Sequence, residues 1–158
     1  VKFCDKLLGS RLSADEAYLI IRGIRTLDIR LKTHYENTTK IINFLKKQKK
    51  VKEILYPHKK STKNYKMWKK YYTGATGLFS IIVKSKNKSS VFKFINKLEL
   101  FGIGYSWGGF ESLAIYQDIS KSRSFYKLEK NEHLVRMHIG LEDYNDLILD
   151  IKKSLKFL

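Results

Sequence analysis

The sequence is short of the residues that several common kinds of site require. Its single cysteine, Cys4, cannot close an internal disulfide, and no Cys/His cluster has the spacing of a zinc site, so redox and metal chemistry have little support. No apolar run approaches the ~20 residues that a membrane-spanning helix needs. The opening residues, Val1-Lys2-Phe3-Cys4-Asp5, lack both an initiator Met and the layout of a secretory signal. The expectation is therefore a cytoplasmic protein whose first residue here is a cut rather than a beginning. Acidic residues are scarce as well, 15 against 32 basic ones, for a formal charge of +17. Such an excess suggests a polyanionic partner such as nucleic acid. Only six of the basic residues are arginines, however, and the lysines spread over nearly every polar stretch. Base and phosphate readers favour arginine's planar fork, and no nucleic-acid-binding motif is recognisable. A solvated lysine-coated surface is the preferred reading.

What is present suffices for one ordinary core: 158 residues, 43% of them hydrophobic. Ser13-Ala14-Asp15-Glu16 has the form of a capping box and predicts a helix start. Apolar positions from Ala17 through Ile21, Ile24, Leu31, Tyr35, Ile41, Ile42 and Leu45 keep helical spacing up to the lysine-rich residues 46–50. Gly23 interrupts that run, so either the helix bends there or a neighbour packs closely, the latter being preferred. Val51–Tyr56 reads as a short strand closed by Pro57, the only proline. Residues 63–72 carry Tyr65, Met67, Trp68, Tyr71 and Tyr72, a surface helix pinned by Trp68. A turn at 74–77 precedes the clearest strand, Leu78–Val83, which is expected to be central. Val91, Phe92, Ile95 and Leu98 repeat at helical spacing. Segments 100–105 and 112–115 read as strands around a glycine turn, 116–132 as a polar loop, and 134–139 as a strand. A closing helix spans 143–155, with Leu147, Ile148, Ile151 and Leu155 on one stripe. The expected class is α+β, a mostly antiparallel sheet with helices on one face, preceded by a long helix.

Two places break the local pattern, which is where function tends to sit. Arg136 interrupts the apolar strand Leu134–Ile139, which puts a guanidinium at or near the core, and a carboxylate must meet it. That carboxylate belongs to Glu111, Glu142 or Asp143 as an internal pair, or to a ligand held bidentately. The second place is Tyr105-Ser106-Trp107-Gly108-Gly109. Its adjacent glycines let another group approach the backbone N–H donors, and Ser106 with those amides has the donors to bind an anion. Equally, the segment is a hairpin turn with Trp107 capping the core. The histidines offer less. His34 and His58 lie in polar segments, and His133 and His138 point to opposite faces of a strand, so they make no ligand pair.

Four ordered blocks then carry a resemblance: Ala17–Leu27, Gly74–Ser80, Tyr105–Leu113 and Leu134–Asp143. Together they resemble the C-terminal portion of the Cys/Met-metabolism family of pyridoxal-phosphate (PLP) enzymes. The resemblance implies a fold-type I PLP enzyme, of which this chain is the small substrate-closing domain (about 48–158) preceded by a linker and long helix (about 1–47). It makes Arg136 the clamp for the substrate's α-carboxylate and puts Tyr105, Ser106 and Trp107 in the same pocket. Ser106-Trp107-Gly108-Gly109 and Arg136-Met137-His138-Ile139-Gly140 resemble the cystathionine β-lyase branch, which converts cystathionine to homocysteine, pyruvate and ammonia, rather than the γ-acting branches. The Schiff-base lysine of the family lies in a Ser/Thr-rich motif upstream of everything matched here and has no equivalent, so the chain alone is expected to be inactive and to hold no PLP covalently. The implied partners are the upstream PLP-binding domain, further copies in a tetramer, and an amino-acid substrate. The competing expectations are a non-catalytic remnant, a Lys-rich module for a polyanion, and a γ-acting relative of the cystathionine γ-synthase or γ-lyase kind.

Overall fold

The computed structural model of the chain describes residues 7, 9, 12–58, 60, 62, 64–120, 122–123 and 127–158. Cys4, Arg11, Lys63 and part of the 116–132 loop lie outside the described residues. The chain divides into a first unit ending at Arg30 and a second running from Leu31 to Leu158.

In the first unit the capping box forms as its residues predict. Ser13 Oγ accepts the Glu16 N–H at 3.2 Å and the Glu16 carboxylate accepts the Ser13 N–H at 2.8 Å, which starts helix α1 (Ala14–Ile24). The helix does not run on through a bend at Gly23. It ends one residue later, and helix α2 (Leu27–Leu45) begins after a tight turn in which Thr26 N–H reaches the Gly23 carbonyl at 3.4 Å. Among the described residues nothing packs closely on Gly23 either: an added Cβ would meet the Arg30 guanidinium at 3.9 Å. Arg30 Nη2 instead donates to the Gly23 carbonyl at 2.6 Å, a helix-end acceptor that it shares with the Thr26 N–H. No residue of α1 is buried, although Tyr18, Leu19, Ile21 and Ile24 are large and apolar.

In the second unit, α2 buries His34, Asn37, Thr38, Ile41, Ile42 and Leu45, spacings of three and four that lie along one helical stripe. There follow β1 (Val51–Leu55), α3 (Tyr65–Tyr71), β2 (Leu78–Lys84), α4 (Lys88–Asn96), β3 (Leu113–Gln117), β4 (Glu132–His138) and α5 (Tyr144–Ser154), which ends in a 3-10 turn (Leu155–Phe157). The strands form one sheet in the order β1-β2-β4-β3, every pair antiparallel. The expected central place of 78–83 is thereby found.

Register explains the core. Phe79 pairs with Met137 and Met137 with Ala114, while Ile81 pairs with Val135 and Val135 with Tyr116. These residues share one face, and on it lie Ile41, Ile42 and Leu45 of α2, Val91, Phe94 and Ile95 of α4, and Leu147 and Ile151 of α5. Each fully buried aliphatic or aromatic side chain contributes about 1.5–3 kcal/mol, so this one-sided helix layer holds the sheet flat against it. The fold is α+β, with helices on one face of an antiparallel sheet.

Three expectations need correction. Phe92 is not part of the α4 stripe; Phe94 is fully buried in its place and Phe92 is 42% exposed, since 91, 94, 95 and 98 share a face that 92 lies roughly 100° away from. Residues 100–105 form no hairpin strand: only Gly102 bridges, in parallel, to Leu113. The α5 stripe includes Asp150, 5% exposed, whose carboxylate accepts the Glu99 and Leu100 N–H groups at 2.9 to 3.0 Å.

Candidate functional site

Side chains alternate along a strand, so Val135 and Met137 in the core put Arg136 and His138 on the other face of β4. Arg136 lies between Ser80 on β2 and Ile115 on β3 and is half-buried. The expectation of a guanidinium in the core is thus corrected: it occupies the face opposite the helices. Of the three candidate internal partners two are engaged elsewhere and the third is exposed. Asp143 caps α5 by accepting the Asn145 N–H at 2.7 Å, Glu142 is bound to Ser112, and Glu111 is exposed. No described carboxylate forms an ion pair with Arg136.

What Arg136 does meet is the glycine loop. Its Nη2 donates to the carbonyl of Tyr105 and, at 3.3 Å, to that of Ser106. Two carbonyls occupy one corner of a five-donor fork, fix its angle, and leave Nε and Nη1 without a hydrogen bond among the described residues. The structure therefore brings Arg136, Tyr105 and Ser106 together. Trp107 is in the same loop and 65% exposed, which overturns its alternative reading as a cap on the core. Gly108 has φ +83°, a left-handed conformation that costs any L side chain roughly 1–2 kcal/mol.

The loop is fastened at its far end by Ser112, which the sequence did not single out, and by Glu142, which was a candidate partner for Arg136 and meets Ser112 instead. Ser112, fully buried, donates its hydroxyl to Glu142 Oε2 at 2.8 Å and its N–H to Glu142 Oε1 at 2.7 Å, and its Oγ accepts the Gly140 N–H at 2.8 Å. Leu141 N–H reaches the Phe110 carbonyl at 2.8 Å. Gly140 has no space for a Cβ, which would collide with the Phe110 carbonyl and the Glu142 carboxylate. Gly77 is equally confined, against the Ile139 carbonyl and, at 2.9 Å, the His138 ring.

His138 completes the arrangement. Its Nε2 lies 3.1 Å from Gly108 N and 3.2 Å from the Gly109 carbonyl. Burial holds this imidazole below the ordinary histidine value; the Gly109 carbonyl and Glu142 pull the other way, and the neighbouring His34 and Arg136 add to the lowering. His34, expected in a polar segment, is 2% exposed, with its ring 5.2 Å from that of His138 and its Nδ1 2.7 Å from the Ile139 carbonyl. His133 and His138 do lie on opposite faces. The signal for His34 was available, since it starts the 34-37-38-41-45 stripe of α2.

A separate cavity of about 620 Å³ opens between Tyr56, His58, Met67, Trp68, Tyr71, Tyr72, residues 74–76 and Leu78. Tyr35 Oη and His58 Nε2 are 2.9 Å apart there, and the Trp68 ring meets His58 edge-on at 4.4 Å. Burial pushes the Tyr56 phenol well above the usual tyrosine range. The cavity shares none of Tyr105, Ser106, Trp107 or Arg136. Several lysines are used inside the fold: Lys40 over the Tyr144 ring at 3.6 Å, Lys50 on the Leu158 carbonyl at 2.8 Å, and Lys52 on Glu132 and Glu129. No described helix is long and apolar enough to cross a membrane, and no described group of three or more His, Cys, Asp or Glu is placed to hold a metal ion.

Residues 1–156 match the family model described as Cys/Met metabolism PLP-dependent enzyme. The chain belongs to that family. Among curated relatives of this PLP family it is 37% identical to the cystathionine beta-lyase MetC of Escherichia coli, over 92% of this chain and 38% of the relative. It is 32% identical to human cystathionine gamma-lyase, over 99% of this chain and 40% of the relative. The chain thus spans about two fifths of the length of the relatives it matches. Among solved structures, a Campylobacter jejuni protein described as an O-acetylhomoserine (thiol)-lyase, carrying a pyridoxyl-lysine phosphate, superposes with a TM-score of 0.77 at 30% identity, covering 94% of this chain and 34% of that one. PLP is accordingly the cofactor of the complete enzyme.

Proposed function

We propose that this chain supplies the substrate-gripping part of a PLP-dependent carbon-sulfur lyase acting on cystathionine at its β-carbon. Arg136 is the clamp for the α-carboxylate. The observation that carries the reading is the state of Arg136: a half-buried guanidinium, tied by Nη2 to the Tyr105 and Ser106 carbonyls and free of any described carboxylate. A buried or half-buried arginine with open donors calls for an anion, and a carboxylate fits its planar edge. Holding that group fixes the amino acid's orientation, which is where a positioning residue lowers a barrier. Ser106 and the exposed Trp107 border the place where the rest of the substrate lies. The resemblance of Ser106-Trp107-Gly108-Gly109 to the β-lyase branch supports the choice of carbon.

PLP supplies the electron sink for the elimination. The role read for Arg136, Tyr105 and Ser106 is at the substrate's acid end. The PLP-binding part of the enzyme is therefore the first partner, and the uncovered apolar face of α1, with Tyr18, Leu19, Ile21 and Ile24 exposed, is the surface we assign to it. Such a face is costly to leave in water. Assembly into a homo-oligomer, as the resemblance implies, belongs to the same reading, as does the inactivity of this chain when isolated.

The test uses the PLP-loaded enzyme containing this chain together with its PLP-binding part. Cystathionine broken at the β-carbon yields pyruvate, ammonia and homocysteine; a γ-acting enzyme leaves cysteine instead. Arg136→Ala should raise KM by about 10²-fold, while PLP affinity, followed by its absorbance, stays within about twofold. Equal losses in both would make Arg136 a structural residue and end the proposal, and absence of pyruvate would end the β-carbon assignment.

A further inference from the structure

An arginine clamp works only when its guanidinium is held at one angle, and the carbonyls that hold Arg136 begin a loop whose other half rests on His138. Gly108 N–H and the Gly109 carbonyl both face the same ring nitrogen, His138 Nε2, at 3.1 and 3.2 Å. An N–H only donates and a carbonyl only accepts, so this nitrogen serves one of them at a time. With the ring proton on Nδ1, Nε2 accepts from Gly108. With a proton on Nε2, as in the charged ring, it turns to Gly109 and releases the Gly108 N–H. Gly108 is the loop residue with the left-handed φ, so releasing it frees the point at which the backbone reverses.

Burial, His34 and Arg136 oppose a charge on the ring, while the Gly109 carbonyl and Glu142 favour one, and the balance lies on the neutral side. Arg136 lies two residues away on the same strand face. From α2, His34 faces the ring at 5.2 Å; the Ile139 carbonyl at its Nδ1 requires a proton there, so His34 offers an Nε2 with no hydrogen bond of its own. Beyond β4, Glu142 is the nearby carboxylate, and both of its oxygens are engaged by Ser112. His138 Nδ1 is buried without a partner.

We infer that His138 is a positioning residue for the carboxylate clamp: in its neutral state it holds the 105–109 loop, and through the loop Arg136, in the gripping arrangement. This rests on the reading of Arg136 proposed above. Protonation lets go of Gly108, and grip on the substrate weakens while the chemistry that follows binding is less affected.

The experiment combines kinetics with a direct view of the loop. In the complete PLP-loaded enzyme, 5-fluorotryptophan gives Trp107 a fluorine resonance, identified by its loss in Trp107→Phe. That resonance should titrate on the acid side of about pH 6.5, and KM should rise over the same range with a smaller change in kcat. His138→Gln, which keeps an acceptor but cannot titrate, should abolish both titrations and leave KM at high pH close to that of the parent. His138→Leu should hold KM, at every pH, about tenfold above the value the parent shows at high pH and move the Trp107 resonance, with the thermal midpoint showing that it folds. Titrations that persist unchanged in His138→Gln, or a folded His138→Leu with KM within twofold of the parent, would overturn the inference. If Arg136→Ala still raises KM in that case, the clamp stands and only the role of His138 falls; if Arg136→Ala leaves KM alone while the Trp107 resonance follows His138, it is the clamp that fails.

Discussion

Ser112→Ala is the sharpest probe of what fastens the site to the fold. The wild-type hydroxyl is fully buried and makes two bonds, donating to Glu142 Oε2 at 2.8 Å and accepting the Gly140 N–H at 2.8 Å. Alanine removes both while keeping the backbone bond from Ser112 N–H to Glu142 Oε1. A hydrogen bond to a charged group is worth about 1.5–3 kcal/mol and a buried N–H left unpaired costs about 1–3 kcal/mol. Gly140 is buried and cannot move aside, because the Phe110 carbonyl and the Glu142 carboxylate crowd it; water cannot enter to replace the hydroxyl without opening that contact. The two contributions overlap, since both belong to one network, and the expected loss is about 3 kcal/mol. Equilibrium unfolding in guanidinium chloride measures it, with an unchanged denaturant slope showing that the same surface is exposed. The Trp107 resonance should broaden in the same variant, as the loop loses its anchor at 112. A loss below about 1 kcal/mol with an unchanged slope would refute the reasoning, because it would mean the clasp is already solvated.

Asp150→Asn should cost about 2 kcal/mol in the same unfolding measurement, because Oδ2 accepts both the Glu99 and Leu100 N–H groups and Oδ1 shares the Glu99 N–H, and an amide replaces these charged acceptors with one neutral oxygen and an NH2 that faces the Glu99 N–H; its KM should not move, since Asp150 lies on the core side of the sheet. Glu132, bonded to the Lys52 ammonium, has its carboxyl held below the usual range by that bond first and by the Glu129 backbone and the Lys52 and Lys84 charges after it. A folded-state value below the unfolded one means stability that is present above the unfolded carboxylate value and is lost as pH falls through the folded one. Thermal midpoints of the parent should therefore drop more steeply below about pH 4.3 than those of Glu132→Gln; parallel curves would show that the pair contributes nothing.

Much of the fold was legible because single periodicities decide it. The capping box at Ser13, the strand at 78–83 and the closing helix are each set by local sequence, and the structure has them where the residues put them. The break between α1 and α2 was not legible, since residues 24–29 keep helical apolar spacing across it and the Arg30-to-Gly23 bond that stabilises the turn depends on three-dimensional placement. Segment 100–105 misled for a related reason: Leu100, Phe101 and Ile103 look like a strand, but Gly102 and Gly104 let the chain leave after one bridge. At the site, Arg136 and the 105–109 loop were legible as breaks in pattern. Ser112, Glu142, His34 and His138 were not, because their roles come from contacts between residues as much as 105 positions apart. A polar residue inside an apolar helical stripe, as at His34, is the one sequence signal that would have reached them.

The alternation along β4 ties the site to the core. Val135 and Met137 face the helices, and Arg136 and His138 face the loop. A slip of one residue between β2 and β4 would exchange these sets. Arg136 and His138 would then press against the level of Ile81 and Phe79, and two core side chains would enter solvent. Exposing Val135 and Met137 alone forfeits about 1.5–3 kcal/mol each, and a charged guanidinium in the core without a carboxylate costs several kcal/mol more. The same burial that stabilises the helix layer therefore fixes which way Arg136 points. It follows that Met137→Ala, although it touches nothing on the site face, should lower stability without altering the KM of the molecules that remain folded, whereas any change that shifts β4 itself should lose both together.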